Sequence, residues 1–179
     1  MNPKLLNKLK KIKFVILDVD GVLTDGKIII GSDGTEYKNF SVRDGTAVTL
    51  GHYAGLKFAI ISGRYSKVIS IRAKEMNINY VYQDVKEKIK PYDDLKRKLK
   101  LNDEEICFIG DEIIDIPIME KCGFSAVPYD GVRELKNYVD YVCGKKGGDG
   151  CVREVIELII KVRGLWKTTQ AKYLRRYEK

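Results

Sequence analysis

Apolar residues run without alternation through Phe14-Val15-Ile16-Leu17 and stop at Asp18-Val19-Asp20-Gly21. An unbroken run of this kind predicts a strand covered on both faces, as in the middle of a parallel sheet. Similar runs follow at 56–61 and 105–109, with shorter ones at 79–82, 124–127 and 138–142. Helix-period stretches lie between them. They predict helices over about 46–54, ended by Gly55, over 66–76, and over 86–99 with Lys88 in the first turn. Shorter helices are predicted from Gly110 to Lys121 and over 131–136, and a last amphipathic one over 152–162. Strands alternating with helices give an α/β fold: a doubly wound, Rossmann-like parallel sheet with helices on both faces.

One segment breaks the alternation. Residues 27–40 are β-rich and centred on Asp33-Gly34, a strong hairpin signal. The segment directly follows the paired aspartates, so it predicts a small flap beside them. No insert is long enough for a separate cap domain, and the expectation is one domain over 1–179 with a basic tail at 164–179. The lysine-rich start reads as a short amphipathic helix and not as a secretory signal.

Composition narrows the class. With 44% hydrophobic and 32% charged residues, and no apolar run near the ~20 residues of a membrane span, the chain reads as a soluble cytoplasmic protein with no membrane partner. The four cysteines form no CxxC pair and there is a single histidine, His52, so zinc is not indicated and His52 reads as structural. Reduced thiols fit best, with Cys107 in the core. The net charge of +8 gathers at the two ends. It fits solvated terminal helices, or attraction to an anionic partner such as a phosphorylated acid. No basic stripe interleaved with aromatics points to nucleic acid.

The chemistry gathers at strand ends. Asp18 and Asp20 leave the first strand, Ser62 ends the second, and Lys88 follows the third. Asp111 ends the fourth, with Asp115 one helical turn on. In a doubly wound sheet these ends converge on one crevice. Taken alone, Asp18-x-Asp20-Gly21 fits a turn as well as a magnesium site. Together the residues suit phosphoryl transfer: a carboxylate nucleophile, a metal and a lysine against negative charge, and a hydroxyl for an equatorial oxygen. No P-loop or GxGxxG motif is present.

These motifs resemble those of the haloacid dehalogenase superfamily. Asp18-Val19-Asp20-Gly21-Val22-Leu23-Thr24-Asp25-Gly26, Val42-Arg43-Asp44-Gly45, Ser62-Gly63-Arg64, Lys88, Gly110-Asp111-Glu112-Ile113-Ile114-Asp115 and Gly147-Gly148-x-Gly150-x-Val152-Arg153-Glu154 are similar to its capless branch over about residues 12–163. That branch includes phosphatases of 3-deoxy-D-manno-octulosonate 8-phosphate (KDO 8-phosphate), a lipopolysaccharide precursor.

The resemblance implies a magnesium-dependent phosphatase with Asp18 as nucleophile and Asp20 as proton shuttle. Ser62 and Lys88 would hold the phosphoryl group. Asp18, the Asp20 carbonyl and Asp111 would bind the metal, with Asp115 behind them. It implies Arg43, Gly63, Arg64 and Lys67 as substrate contacts, and Arg43 fits an ion pair with a neighbouring acid as well. It also implies a homotetramer whose neighbouring subunits complete each site, with the Gly147-Gly148-x-Gly150 segment able to reach an adjacent site. Arg64 favours the octulosonate over nine-carbon sialic-type 9-phosphates, where glutamate is usual. Two other readings remain open: a phosphatase of nucleotides or nucleic-acid ends, and a phosphatase fold retired to a regulatory role. Two residues depart from the family pattern. Asp84 stands where glycine is usual, and Glu112 where aspartate is.

Overall fold

A computed structural model describes residues 2–177. A helix, α1 (Pro3–Lys11), is capped by the Asn2 side chain and leads into β1 (Phe14–Leu17). The hairpin strands β2 (Ile29–Ile30) and β3 (Glu36–Tyr37) follow, then α2 (Val42–Tyr53), β4 (Lys57–Ile61), α3 (Lys67–Glu75) and β5 (Tyr80–Tyr82). Next come α4 (Ile89–Leu99), β6 (Ile106–Ile109), the one-turn α5 (Ile116–Met119), β7 (Phe124–Val127) and β8 (Tyr141–Val142). The chain closes with α6 (Cys151–Val162), α7 (Trp166–Leu174) and a final 3-10 turn.

Six strands form one parallel sheet in the order β5-β4-β1-β6-β7-β8. The chain thus winds outward from β1 in one direction and then, from β6, in the other. That reversal opens a crevice at the carboxyl end of β1, between β4 and β6. All residues of β1 are buried, and they divide by parity. Val15 and Leu17 pack with α2, α3 and α6, while Phe14 and Ile16 pack with Tyr92 and Leu95 of α4 and with Ile118 of α5. The strand therefore has no polar face, which is why its sequence shows no alternation.

Several expected elements shift. Helix α2 starts four residues earlier than its hydrophobic period suggests, because the Ser41 hydroxyl caps the Asp44 N–H and brings Arg43 into the first turn. Helix α4 begins at Ile89, so Lys88 is its cap and not part of its first turn. The stretch 131–136 forms a 3-10 helix, Arg133–Asn137. The tail docks on its own chain. Helix α7 lies against α2, with Leu165, Trp166 and Tyr173 packed on the core and Thr169 buried.

His52 is held by the Met76 carbonyl at 3.1 Å and stands edge-on to Phe58, as a structural residue would. All four cysteines are buried and free. No helix among the described residues is long and apolar enough to cross a membrane.

Candidate active site

The loop after β1 is a tight coil. Val22, Leu23 and Thr24 all donate their backbone N–H to the Val19 carbonyl. Gly21 sits at φ +80°, where an added Cβ would also stand 2.0 Å from Asp111 Oδ2. A side chain there would be strained and would overlap the carboxylate that faces Asp18, so this loop needs glycine. The Gly147-Gly148 segment closes over the back of the same loop. A Cβ at Gly147 would meet the Gly21 carbonyl oxygen at 1.9 Å, and the Gly148 N–H donates to the Val22 carbonyl. Within the chain, then, these glycines pack on the chain's own loop after β1. Buried Asp44 anchors the segment by accepting from the Gly150 and Arg153 N–H groups.

Four sequence-predicted residues meet at β-strand ends. Asp18 is almost fully buried, and its Oδ1 accepts from the Val19 N–H at 2.7 Å. Its Oδ2 accepts from Lys88 Nζ at 2.7 Å. Lys88 donates equally to Asp115 Oδ1, also at 2.7 Å. The other oxygen of Asp115 accepts from the N–H groups of Asp111 and Glu112. Asp115 thus fixes both the lysine and the loop after β6. Glu112 turns its carboxylate back onto the Ile113 N–H, a short-range cap.

Oxygens of Asp18, Asp111 and Asp115 all lie within 4.8 Å of one another, with a single ammonium among them. Burial is the main cause that pushes Asp18 up to about 6; Lys88 opposes it and Asp115 adds to it. Burial and the charges of Asp18 and Asp115 push Asp111 up to about 8. Burial pulls Lys88 down, but the two carboxylates outweigh it and hold its ammonium above the ordinary lysine value. Asp111 Oδ1 is buried without a hydrogen-bond partner. A buried carboxylate oxygen left unpaired beside two more carboxylates is what a hard divalent cation would satisfy. The donor set is all oxygen, which fits magnesium.

The cleft above this cluster has a volume of about 240 Å³ and is lined by Asp18, Asp20, Gly26, Ser62, Gly63, Arg64, Lys88, Asp111, Glu112 and Ile114. Ser62 is buried, with its backbone tied to Tyr82 and Val85, so β5 and the following turn fix its hydroxyl. Arg64 is half exposed and reaches Glu36 of the hairpin at 3.4 Å.

Two expected substrate contacts do not line this cleft. Lys67 is exposed at the start of α3. Arg43 is exposed on α2 and lines a separate cavity with Lys145 and Arg153. Asp84 sits at φ +56°, the left-handed region, which accounts for the usual glycine there. Aspartate tolerates that conformation, and its exposed side chain does not line the cleft.

Lys38 was not visible from sequence motifs. It leaves β3 and buries its side chain completely, with Nζ 2.5 Å from Asp20 Oδ1 and 3.4 Å from Glu36 Oε1. The available signal was periodicity. Glu36 and Lys38 share one face of the hairpin, and exposed Tyr37 takes the other.

Comparison with known proteins matches this arrangement. A family model described as haloacid dehalogenase-like hydrolase matches residues 56–155. The 3-deoxy-D-manno-octulosonate 8-phosphate phosphatase of Salmonella typhimurium is 38% identical over 164 residues, covering 92% of this chain and 87% of that protein. Its Escherichia coli (strain K12) counterpart is 40% identical over 157 residues, covering 88% and 84%. The crystal structure of the Moraxella catarrhalis phosphatase of the same substrate, in complex with a magnesium ion, a phosphate ion and a KDO molecule, superposes with a TM-score of 0.93. It is 35% identical and covers 97% of this chain and 99% of that one.

Proposed function

Because the chain belongs to the haloacid dehalogenase-like hydrolase family, we propose that it is a magnesium-dependent phosphatase that hydrolyses KDO 8-phosphate to KDO and inorganic phosphate. The observation that carries this reading is the joint placement of Asp18, Lys88 and the unpaired Asp111 oxygen in one cleft. Relatives that act on this substrate align over most of the chain.

The chain's own residues divide the work. The Val19 N–H and Lys88 hold the two oxygens of Asp18, so its carboxylate is oriented before substrate arrives. Asp18 attacks phosphorus, the bond to the sugar oxygen breaks, and Asp20 gives that oxygen its proton. Asp20 then takes a proton from the water that cleaves the aspartyl-phosphate. Lys88 and the Ser62 hydroxyl stabilise the transferring phosphoryl oxygens. When held by Asp18, the Asp20 carbonyl and Asp111, magnesium supplies the positive charge that lets a phosphate dianion approach an anionic nucleophile.

Arg64, at the rim beside Gly63, is the cleft's candidate for the sugar-acid carboxylate. In this reading Arg43 contacts substrate only across a subunit boundary, and Lys67 lies beyond the rim. The exposed apolar residues Ile28, Ile29, Ile30 and Tyr37 of the hairpin, with Val42, support such an assembly, a homotetramer. The setting that goes with this substrate is lipopolysaccharide precursor synthesis in the cytoplasm. A phosphate-release assay across KDO 8-phosphate, a sialic-type 9-phosphate and nucleotide monophosphates tests the reading. Preference for the octulosonate is expected, and equal or greater turnover of a nucleotide would overturn the substrate choice.

A further inference from the structure

The hairpin presents its isoleucines to solvent and turns a lysine inward. Ile28, Ile29 and Ile30 are exposed, while the Lys38 side chain has no solvent exposure at all. Withdrawing an ammonium from water is unfavourable unless it is well paired. Its partners are Asp20 at 2.5 Å and Glu36 at 3.4 Å. Glu36 also reaches Arg64 at 3.4 Å, so one carboxylate of the hairpin joins the lysine to the rim of the cleft. Asp20 itself stays partly exposed, with about a quarter of its side chain open.

We propose that Lys38 is a positioning residue for the second half of the reaction. It holds Asp20 by Oδ1, so that Oδ2 is presented to the water that cleaves the aspartyl-phosphate. This rests on the proposed roles of Asp18 and Asp20. The contact takes one carboxylate oxygen only and comes from a side chain with no solvent exposure, so it fixes the orientation of Asp20 toward the water that reacts in the second half. In that step water oxygen bonds to phosphorus, the bond from phosphorus to the Asp18 oxygen breaks, and the water proton passes to Asp20. A carboxylate free to rotate would lose the near-attack arrangement that makes this transfer fast. The hairpin that carries Lys38 therefore sets the lifetime of the intermediate, and it leaves the rate of formation unchanged where the leaving group needs no proton from Asp20.

The test uses p-nitrophenyl phosphate in rapid mixing, where nitrophenolate leaves without help from an acid. Wild type, Asp20→Asn, Lys38→Met and Lys38→Arg are compared. Lys38→Met is expected to keep kcat/KM within about threefold while kcat falls on the order of 100-fold, the lower end of general-base contributions. It should also show a stoichiometric nitrophenolate burst, with phosphoenzyme recovered on Asp18 after acid quench. Lys38→Arg should recover part of kcat. If Lys38→Met does not fold, Lys38→Gln carries the same comparison.

A general structural role would lower kcat/KM and kcat together and give no burst, which would overturn the proposal. Asp20→Asn separates the two levels. If Asp20→Asn accumulates phosphoenzyme and the Lys38 variants do not, the positioning role falls while the proposed reaction stands. If no variant accumulates phosphoenzyme, the roles of Asp18 and Asp20 fall, and this inference falls with them.

Discussion

Lys88 Nζ lies 2.7 Å from Asp18 Oδ2, and the pair is almost fully withdrawn from solvent. The same nitrogen lies 2.7 Å from Asp115. Replacing it, as in Lys88→Met, leaves three crowded carboxylates with no cation among them. Breaking a buried pair from one side destabilises by about 3–5 kcal/mol, and losing a charged donor at the phosphoryl group should slow turnover by about 10²–10³-fold. Denaturant titration with and without magnesium checks the first effect. The ion should stabilise Lys88→Met more than wild type, since it replaces the missing charge.

The carboxylate cluster also predicts a pH dependence. In the metal-free protein Asp18 is raised to about 6 and Asp111 to about 8. Between about pH 4 and 8 the folded state then binds more protons than the unfolded chain, so these groups make stability fall as pH rises through that window. A divalent cation displaces those protons and reverses the trend. The rise in Tm on adding magnesium should therefore grow from pH 5 to pH 8, with proton uptake by the buffer in calorimetry. A magnesium effect independent of pH would contradict it.

Gly147 is predicted to be intolerant of a side chain. Its Cβ would stand 1.9 Å from the Gly21 carbonyl oxygen. Gly147→Ala should destabilise by about 1–3 kcal/mol and lower kcat by displacing the loop that carries Asp20. Gly144→Ala is the control, since its Cβ meets nothing closer than 3.8 Å. Melting curves and turnover on both variants decide the point.

Arg64 should matter for the acid and not for the phosphate. Arg64→Ala is expected to raise KM for KDO 8-phosphate about tenfold, as a lost charged contact of ~1.4 kcal/mol would. KM for p-nitrophenyl phosphate, which has no carboxylate, should stay within about twofold.

Much of the fold is legible in the chain because β1 and its neighbours are buried on both faces, so their apolar runs stand out. The strand-end residues Asp18, Ser62 and Asp111 could be placed from the sheet rule alone. What escaped depends on contacts between distant segments. The start of α2 is set by the Ser41 cap and not by hydrophobic period. The Gly147-Gly148 segment is explained by its approach to Gly21. Arg43, near a strand end in sequence, is carried by α2 to a different cavity. Lys38 lies eighteen residues from Asp20, an ordinary surface charge until the hairpin folds back and buries it.

The most direct test of the central claim is phosphate release from KDO 8-phosphate by wild type and Asp18→Asn, each with magnesium and then with excess EDTA. Release by wild type with magnesium, abolished both by EDTA and by Asp18→Asn, is the predicted result. Undiminished release by Asp18→Asn, or no release by wild type with magnesium present, would contradict it.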